Sequence, residues 1–258
     1  MILRLKAGLC FQALKIIRQG KSALIGGRGM KRFALDMAML LLLLLVMGFH
    51  FLPHVLHEVL GLVLLGGALW HLLLNRRWFS ALFRGRYGKV RVLQAVMLCL
   101  LVISFFTAMV TGTIISSHVF RELWKGVALH RSIFVHQLHI ASSYVMVILG
   151  GMHVGMHWQG LWQQLKKIPL LGKVESHPAI RFWLLMVIGW AGAALSRLDQ
   201  VGDRLMMKHI FGTLASRLPA PAYFLLLLCF IGLYAIIFYY AQKYLQGKAR
   251  KKSEVGKA

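Results

Sequence analysis

Two pairs of histidines share one spacing within the apolar parts of this chain. His57 and His71 form the first pair and His139 and His153 the second, and both have the spacing i, i+14. At 3.6 residues per turn, this spacing completes almost four turns, so both members of a pair lie on one helix face. The two members are then about 21 Å apart along the axis, which fits within a hydrocarbon core about 30 Å thick.

Two such helices lying side by side and running parallel would place imidazoles opposite each other at two levels. Imidazole is a haem ligand, and two axial imidazoles leave the iron no open position, which suits electron transfer better than oxygen chemistry. The spacing therefore predicts two haems b held by metal-binding histidines. The inner haem lies between His71 and His153, and the outer haem lies between His57 and His139. No Cys-x-x-Cys-His sequence occurs, so covalent c-type attachment is excluded.

The composition indicates a membrane protein. Of the 258 residues, 59% are apolar and only 15% are charged, and the charges cluster between long apolar segments. We expect an all-α, polytopic membrane bundle of six transmembrane helices with a four-helix cytochrome b-like core. The expected spans are 33–50, 54–75, 92–115, 133–157, 181–197 and 222–242.

The basic residues predict the orientation of these spans. Most of the 31 lysines and arginines fall in segments that would share one side of the membrane. Those segments are 1–32, 76–91, 158–181 and 243–258. The other side keeps seven: Arg121, Lys125, Arg131, Arg197, Arg204, Lys208 and Arg217. This bias places both termini in the cytoplasm of a bacterium, with the chain in its cytoplasmic membrane.

Nucleic acid is not an expected partner despite the net charge of +24, because the basic residues flank apolar segments. Anionic membrane lipids are expected contacts of those residues. The sequence predicts four regions. They are a basic cytoplasmic segment at 1–32, the haem-binding core at 33–160, two further transmembrane helices at 161–245, and a basic cytoplasmic tail at 246–258.

The first residues allow two interpretations. Residues 2–17 have the pattern of a basic amphipathic helix lying on the membrane surface. Alternatively, translation begins at Met30 and residues 1–29 are not part of the native protein. No cleavable signal peptide is expected in either case.

An internal repeat supports the histidine pairs and raises a rival assignment. His54-Val-Leu-His57 recurs further along the chain as His136-Gln-Leu-His139. His54 and His136 are therefore alternative outer-site residues, although their i, i+17 spacing to the inner histidines turns them about 100° away from the shared face. They would line a propionate or quinol pocket, or extend toward the membrane interface.

Glycines lie between the two histidines of the first pair and cluster near His153 of the second. They allow either a flat porphyrin or a neighbouring helix to approach the backbone. The glycines concerned are Gly61, Gly66, Gly67, Gly150, Gly151 and Gly155.

Other polar residues have weaker expected roles. Glu58 and Arg131 are expected as solvated caps, with a role beside a haem as the alternative. His50, His118 and His130 are expected to be solvated loop residues. Asp36 is a weak candidate for proton handling.

Two segments resemble the small bacterial flavinylation-associated membrane cytochromes, b-type proteins long classed as a domain of unknown function. They are HEVLGLVLLGGALWHLLLNRRW at 57–78 and LHIASSYVMVILGGMHVGMHW at 138–158. The resemblance is strong over about 50–160 and looser in the last two helices. It implies two b haems and electron flow toward extracytosolic proteins that carry covalent FMN. The ligands that it implies are His57, His71, His139 and His153, with His157 as an alternative inner ligand.

The expected function is therefore transmembrane electron transfer by a di-haem cytochrome. Such a protein is an oxidoreductase component rather than a self-contained enzyme, and an extracytosolic flavoprotein or another redox protein would be its partner. One alternative is a quinol-oxidising cytochrome b subunit of a larger membrane oxidoreductase. A second alternative, of another class, is a histidine-lined transporter for metal ions or protons that contains no haem.

Overall fold

A computed structural model describes most of the chain as helix. The chain divides into two compact units, 1–40 and 41–258. The described residues are 32–82, 84, 88–167, 177–208 and 212–255. The expected surface helix at 2–17 and the alternative start at Met30 lie outside them. Residues 32–40, which are helical, are the described part of the first unit.

The second unit is built from helices and turns, and no strand occurs in its described residues. It opens with helical residues 41–47, called α1 here. The helices that follow are α2 (His54–Leu74), α3 (Arg76–Leu82), α4 (Lys89–Ile114), α5 (Ile133–Met156), α6 (Trp158–Leu165), α7 (Pro178–Leu198), α8 (Val201–Leu205) and α9 (Ala220–Val255). Short 3₁₀ turns lie at Phe49–Phe51, Ala128–Arg131 and Leu214–Arg217.

Five of these helices are long and apolar enough to cross a membrane: α2, α4, α5, α7 and the Ala220–Lys248 part of α9. A helix satisfies its own backbone hydrogen bonds, which lipid cannot do, and about 20 residues suffice to span the hydrocarbon. The described residues are thus those of a helical, multi-pass membrane protein. Four predicted spans are confirmed to within three residues, and the fifth, 222–242, lies within the observed Ala220–Lys248. The predicted span at 33–50 stays a prediction, because its described helical part, 32–47, is shorter than that length.

The last helix is longer than its predicted span of 222–242. It continues to Val255 and so includes most of the predicted tail at 246–258. Lysine is the commonest residue of this extension and is a good helix former, and the only poor helix former is Gly247, so the helix continues past residue 242.

Helix α5 lies at the centre of the packing. It lies along both α4 and α9, and α7 packs on the other side of α9. Small residues allow this close approach: a Cβ added to Gly151 would lie 2.6 Å from the carbonyl oxygen of Ile231, and one added to Gly155 would overlap the Ala235 carbonyl. The glycines near the histidines were expected to let either a porphyrin or a neighbouring helix approach the backbone. Gly151 and Gly155 let a neighbouring helix approach.

Candidate functional site

Helix α2 turns its two spaced histidines toward the protein interior. The buried residues of α2 are Leu64 and Ala68. Relative to His57 they stand at i+7 and i+11, which places them on the same helical face as His57 and His71. The opposite face, which includes Val63 and Trp70, is exposed. The histidine face of α2 is therefore the inward one.

The structure brings together the two members of each predicted pair. The ring centroids of His57 and His139 are 6.4 Å apart, and those of His71 and His153 are 6.2 Å apart. The rings are nearly perpendicular, at 86° and 77°. Because both pairs form at once, α2 and α5 run parallel, as the repeat predicts. The role of these side chains as haem ligands stays a prediction.

These separations suit a metal between the rings. Metal–imidazole nitrogen bonds are about 2.0–2.1 Å long. In a five-membered ring with bonds of about 1.33 Å, each atom lies about 1.1 Å from the ring centre. A metal held in line between two imidazole nitrogens therefore sets the ring centres about 6.3 Å apart. The observed separations of 6.4 Å and 6.2 Å lie on either side of that value.

The tautomer of His139 is defined by its neighbours. Nδ1 of His139 lies 2.9 Å from the carbonyl oxygen of Ala108 and 3.3 Å from Oγ1 of Thr111. A carbonyl oxygen accepts only, so Nδ1 carries the hydrogen and donates it to Ala108. In the neutral ring Nε2 then carries the lone pair, which is the state of a histidine prepared to bind a metal.

Helix α4 makes room for this ring at Gly112. A Cβ at this position would lie 3.0 Å from Cε1 of His139 and 3.4 Å from its Nδ1. The sequence interpretation missed Ala108, Thr111 and Gly112 as parts of the site. The available signal was the small, polar Thr111-Gly112-Thr113 within an otherwise apolar helix.

If the predicted outer haem lies between His57 and His139, substituting Gly112 with alanine should weaken its binding. The added methyl group would press on the His139 ring, which is already held by Ala108, and would shift it from its position opposite His57. We expect the haem content per chain to fall toward one haem, measured on purified protein. The control is Gly160→Ala in α6, where an added Cβ has no neighbour within 4 Å. Equal haem contents in the two variants would contradict this role for Gly112.

Along α2 and α5, the positions between the outer and the inner histidines differ in their surroundings. Leu64 on α2 and Met146 on α5 are buried, and each lies midway between the two histidines of its helix. A Cβ at Gly61, one turn after His57, would meet nothing within 4 Å. Gly61, unlike Gly151, therefore borders open space rather than a packed helix. Gly66 is exposed on the other face of α2.

The alternative ligands occupy different surroundings. His157 follows the last residue of α5, is exposed, and has its ring centre 4.9 Å from that of His153. His136 is bound to its own helix, since its Nδ1 lies 3.0 Å from the Ser132 carbonyl oxygen. His54 is exposed. The roles predicted for these three side chains are not tested by this placement.

The expectation that Glu58 is a solvated cap is wrong. Its side chain is only 13% exposed and accepts hydrogen bonds from the hydroxyl of Ser116 (2.7 Å) and the backbone amides of Ser117 (2.9 Å) and Val119 (2.7 Å). Backbone amides of a loop need an acceptor, and this carboxylate supplies it. Glu58 therefore fastens the loop after α4 to the helix turn that carries His57.

The loop histidines also differ from one another. His50 was expected to be solvated, but its ring centre lies 4.7 Å from that of Tyr223, and its Nε2 is buried with no hydrogen-bond partner among the described residues. His130 places Nδ1 2.8 Å from the Ile114 carbonyl oxygen. His118 is exposed, as expected, and so are Arg131 and Asp36.

A buried ion pair was missed entirely. Asp199 and Arg204 are each 5% exposed at the side chain, with Nη2 of Arg204 3.3 Å from Oδ1 of Asp199. Thr213 donates to Oδ1 at 2.6 Å, and the hydroxyl of Tyr144 donates to Oδ2. This Asp199 cluster joins the centre of α5 to the segment between α7 and α9.

Comparison with known proteins finds no match, so the site is interpreted from its own geometry. No protein-family model, no curated protein and no solved structure matches this chain. Within the residues that the structure describes, no group of three or more His, Cys, Asp or Glu side chains has the arrangement of a metal site. The candidate site is therefore the two facing histidine pairs.

Proposed function

We propose that this protein is a di-haem b-type cytochrome that transfers electrons across a membrane. The observation that carries the proposal is the facing of His57 with His139 and of His71 with His153, at two levels of one bundle. The levels are about 21 Å apart along the helices, so the two redox centres together would bridge most of the hydrocarbon.

The donor set favours haem over a bare metal ion. Each level supplies two facing imidazoles, which would hold a haem iron, whereas a bare zinc ion takes four ligands. His139, with its proton held on Nδ1 by Ala108, presents Nε2 as the ligand atom. When bound, the haem supplies one-electron redox chemistry.

The protein's own contribution is to hold, orient and shield the two centres. The four histidines would hold the irons, and the Ala108 carbonyl fixes the orientation of the His139 ring. Leu64 and Met146, both buried, exclude water between the levels. The open space beside Gly61 gives the backbone of α2 a place that a flat ring system can approach.

The proposed orientation follows the distribution of basic residues. Both termini lie in the cytoplasm of a bacterial cell, and the level of His57 and His139 is nearer the extracytosolic face. The resemblance to the flavinylation-associated cytochromes makes an extracytosolic protein with covalent FMN the proposed electron acceptor. Quinol is the alternative redox partner.

Visible spectroscopy of the purified full-length protein tests the proposal. We expect a b-type α-band in the reduced-minus-oxidised spectrum and about two haems per chain, the number of histidine pairs. A folded protein with no α-band would contradict haem binding and favour a histidine-lined transporter. If the band is present, rapid reduction by added quinol in quinone-depleted membranes would instead favour a quinol-oxidising subunit.

A further inference from the structure

A pocket lies beyond the end of α2 that carries His71. It has a volume of about 570 Å³ and lies between α3 and the first turns of α4. Its lining comprises Arg77, Arg84 and Arg91 together with Trp78, Gln94 and two alanines. This volume is in the range of pockets that hold small ligands. The sequence interpretation gave these arginines no role beyond orientation and general lipid contact.

The lining is strongly positive. Segment 76–91 contains six basic residues and no aspartate or glutamate. The guanidinium group of Arg91 donates to the carbonyl oxygens of Ala81 and Arg84, which holds it in place at the pocket wall. A guanidinium is a planar set of donors that matches the oxygens of a phosphate group, so three of them favour a phosphate-bearing ligand.

The start of α4 adds to this positive field. Arg91 and Gln94 belong to its first two turns, and its N-cap residue, Gly88, supplies no side-chain hydrogen bond. The first backbone N–H groups of a helix have no intrahelical acceptor and carry the positive end of the helix dipole. Such an end attracts phosphate groups even without basic side chains.

We propose that this pocket binds the phosphate headgroup of an anionic phospholipid. It lies beside the start of α4 and beyond the end of α2, and both helices are long and apolar enough to cross a membrane. The ends of such helices are expected near the aqueous boundary, where phospholipids present their phosphates. Trp78 is of the residue type that is enriched at this interface. The inference rests on the membrane-spanning fold and not on haem binding.

Native mass spectrometry of the full-length protein with phosphatidylglycerol tests the site. Arg77→Gln/Arg84→Gln should bind this lipid about tenfold more weakly than the unmodified chain, because charge-assisted hydrogen bonds to phosphate are lost. The matched control is Lys167→Gln/Arg181→Gln. It removes two exposed basic residues on the same predicted side, outside the pocket lining, and should weaken lipid binding much less than the pocket variant does, because only general charge attraction is lost. Phosphatidylcholine, which carries no net charge, should bind weakly to all forms.

Each other result has a defined meaning. Equal lipid binding by both double variants would overturn the proposal. If adenosine monophosphate or inorganic phosphate at millimolar concentration displaces the lipid, the lipid assignment is overturned in favour of a soluble phosphate ester. Should the glutamine variant fail to fold, Arg77→Lys/Arg84→Lys keeps the charge but loses the planar donor set, and it should show a smaller loss. Haem content, measured on the same samples, tests the proposed function separately.

Discussion

Replacing either His71 or His153 with alanine is expected to remove one and the same haem. The two rings face each other at 6.2 Å, so each substitution would leave the proposed haem iron with a single protein ligand at that level. Replacing His57 or His139 should remove the other haem. Haem content should fall from about two to about one per chain, and one step should disappear from the redox titration.

Matched substitutions distinguish the loss of a haem ligand from a general loss of folding. His54→Ala lies on the same helix as His57 but alters an exposed side chain, so both haems should remain. His157→Ala should also keep both, and loss of the inner haem in that variant would transfer the ligand role from His153 to His157. If His71→Ala and His153→Ala removed different haems, the pairing across parallel helices would be wrong.

Replacing Asp199 with alanine is expected to destabilise the fold by about 3–5 kcal/mol, the usual cost of breaking a buried ion pair by removing one partner. Arg204 would be left charged and almost fully buried, and the hydroxyls of Tyr144 and Thr213 would lose their common acceptor. Equilibrium unfolding in mixed micelles, driven by an increasing fraction of denaturing detergent, measures the change in the free energy of unfolding.

The control for this prediction lies four residues further along the chain. Asp203 is exposed, so Asp203→Ala should change the free energy of unfolding by no more than about 0.5 kcal/mol. A double variant, Asp199→Ala/Arg204→Met, should be more stable than Asp199→Ala, because it no longer buries an unpaired charge. Equal destabilisation by Asp199→Ala and Asp203→Ala would show that the cluster contributes little.

The sequence predicted the five observed spans because length and hydrophobicity alone decide whether a helix can cross a membrane. It also predicted the facing of the histidines. The i, i+14 spacing fixes the helical face, and an identical spacing on a second, parallel helix requires both pairs to meet at once. The burial of Leu64 and Ala68 on the same face as His57 follows from the same periodicity.

Contacts between distant parts of the chain could not be predicted in this way. Glu58 binds the loop that follows α4, and Asp199 meets Tyr144 from a different helix. Helical periodicity predicts contacts only between residues close in sequence, and both of these contacts join residues far apart in the chain. The expected solvated states of Glu58 and His50 were wrong because both were judged by their position near helix ends.

What the sequence by itself determined is therefore five of the membrane-crossing helices and the face on which each histidine lies, since both depend on local periodicity and composition. Only the tertiary structure decided which neighbours support those histidines. Gly112 and Ala108 contact the His139 ring, and Gly155 allows α9 to pack closely against α5. These choices depend on which helices pack together and how closely, and close packing is a property of the assembled bundle rather than of any one segment.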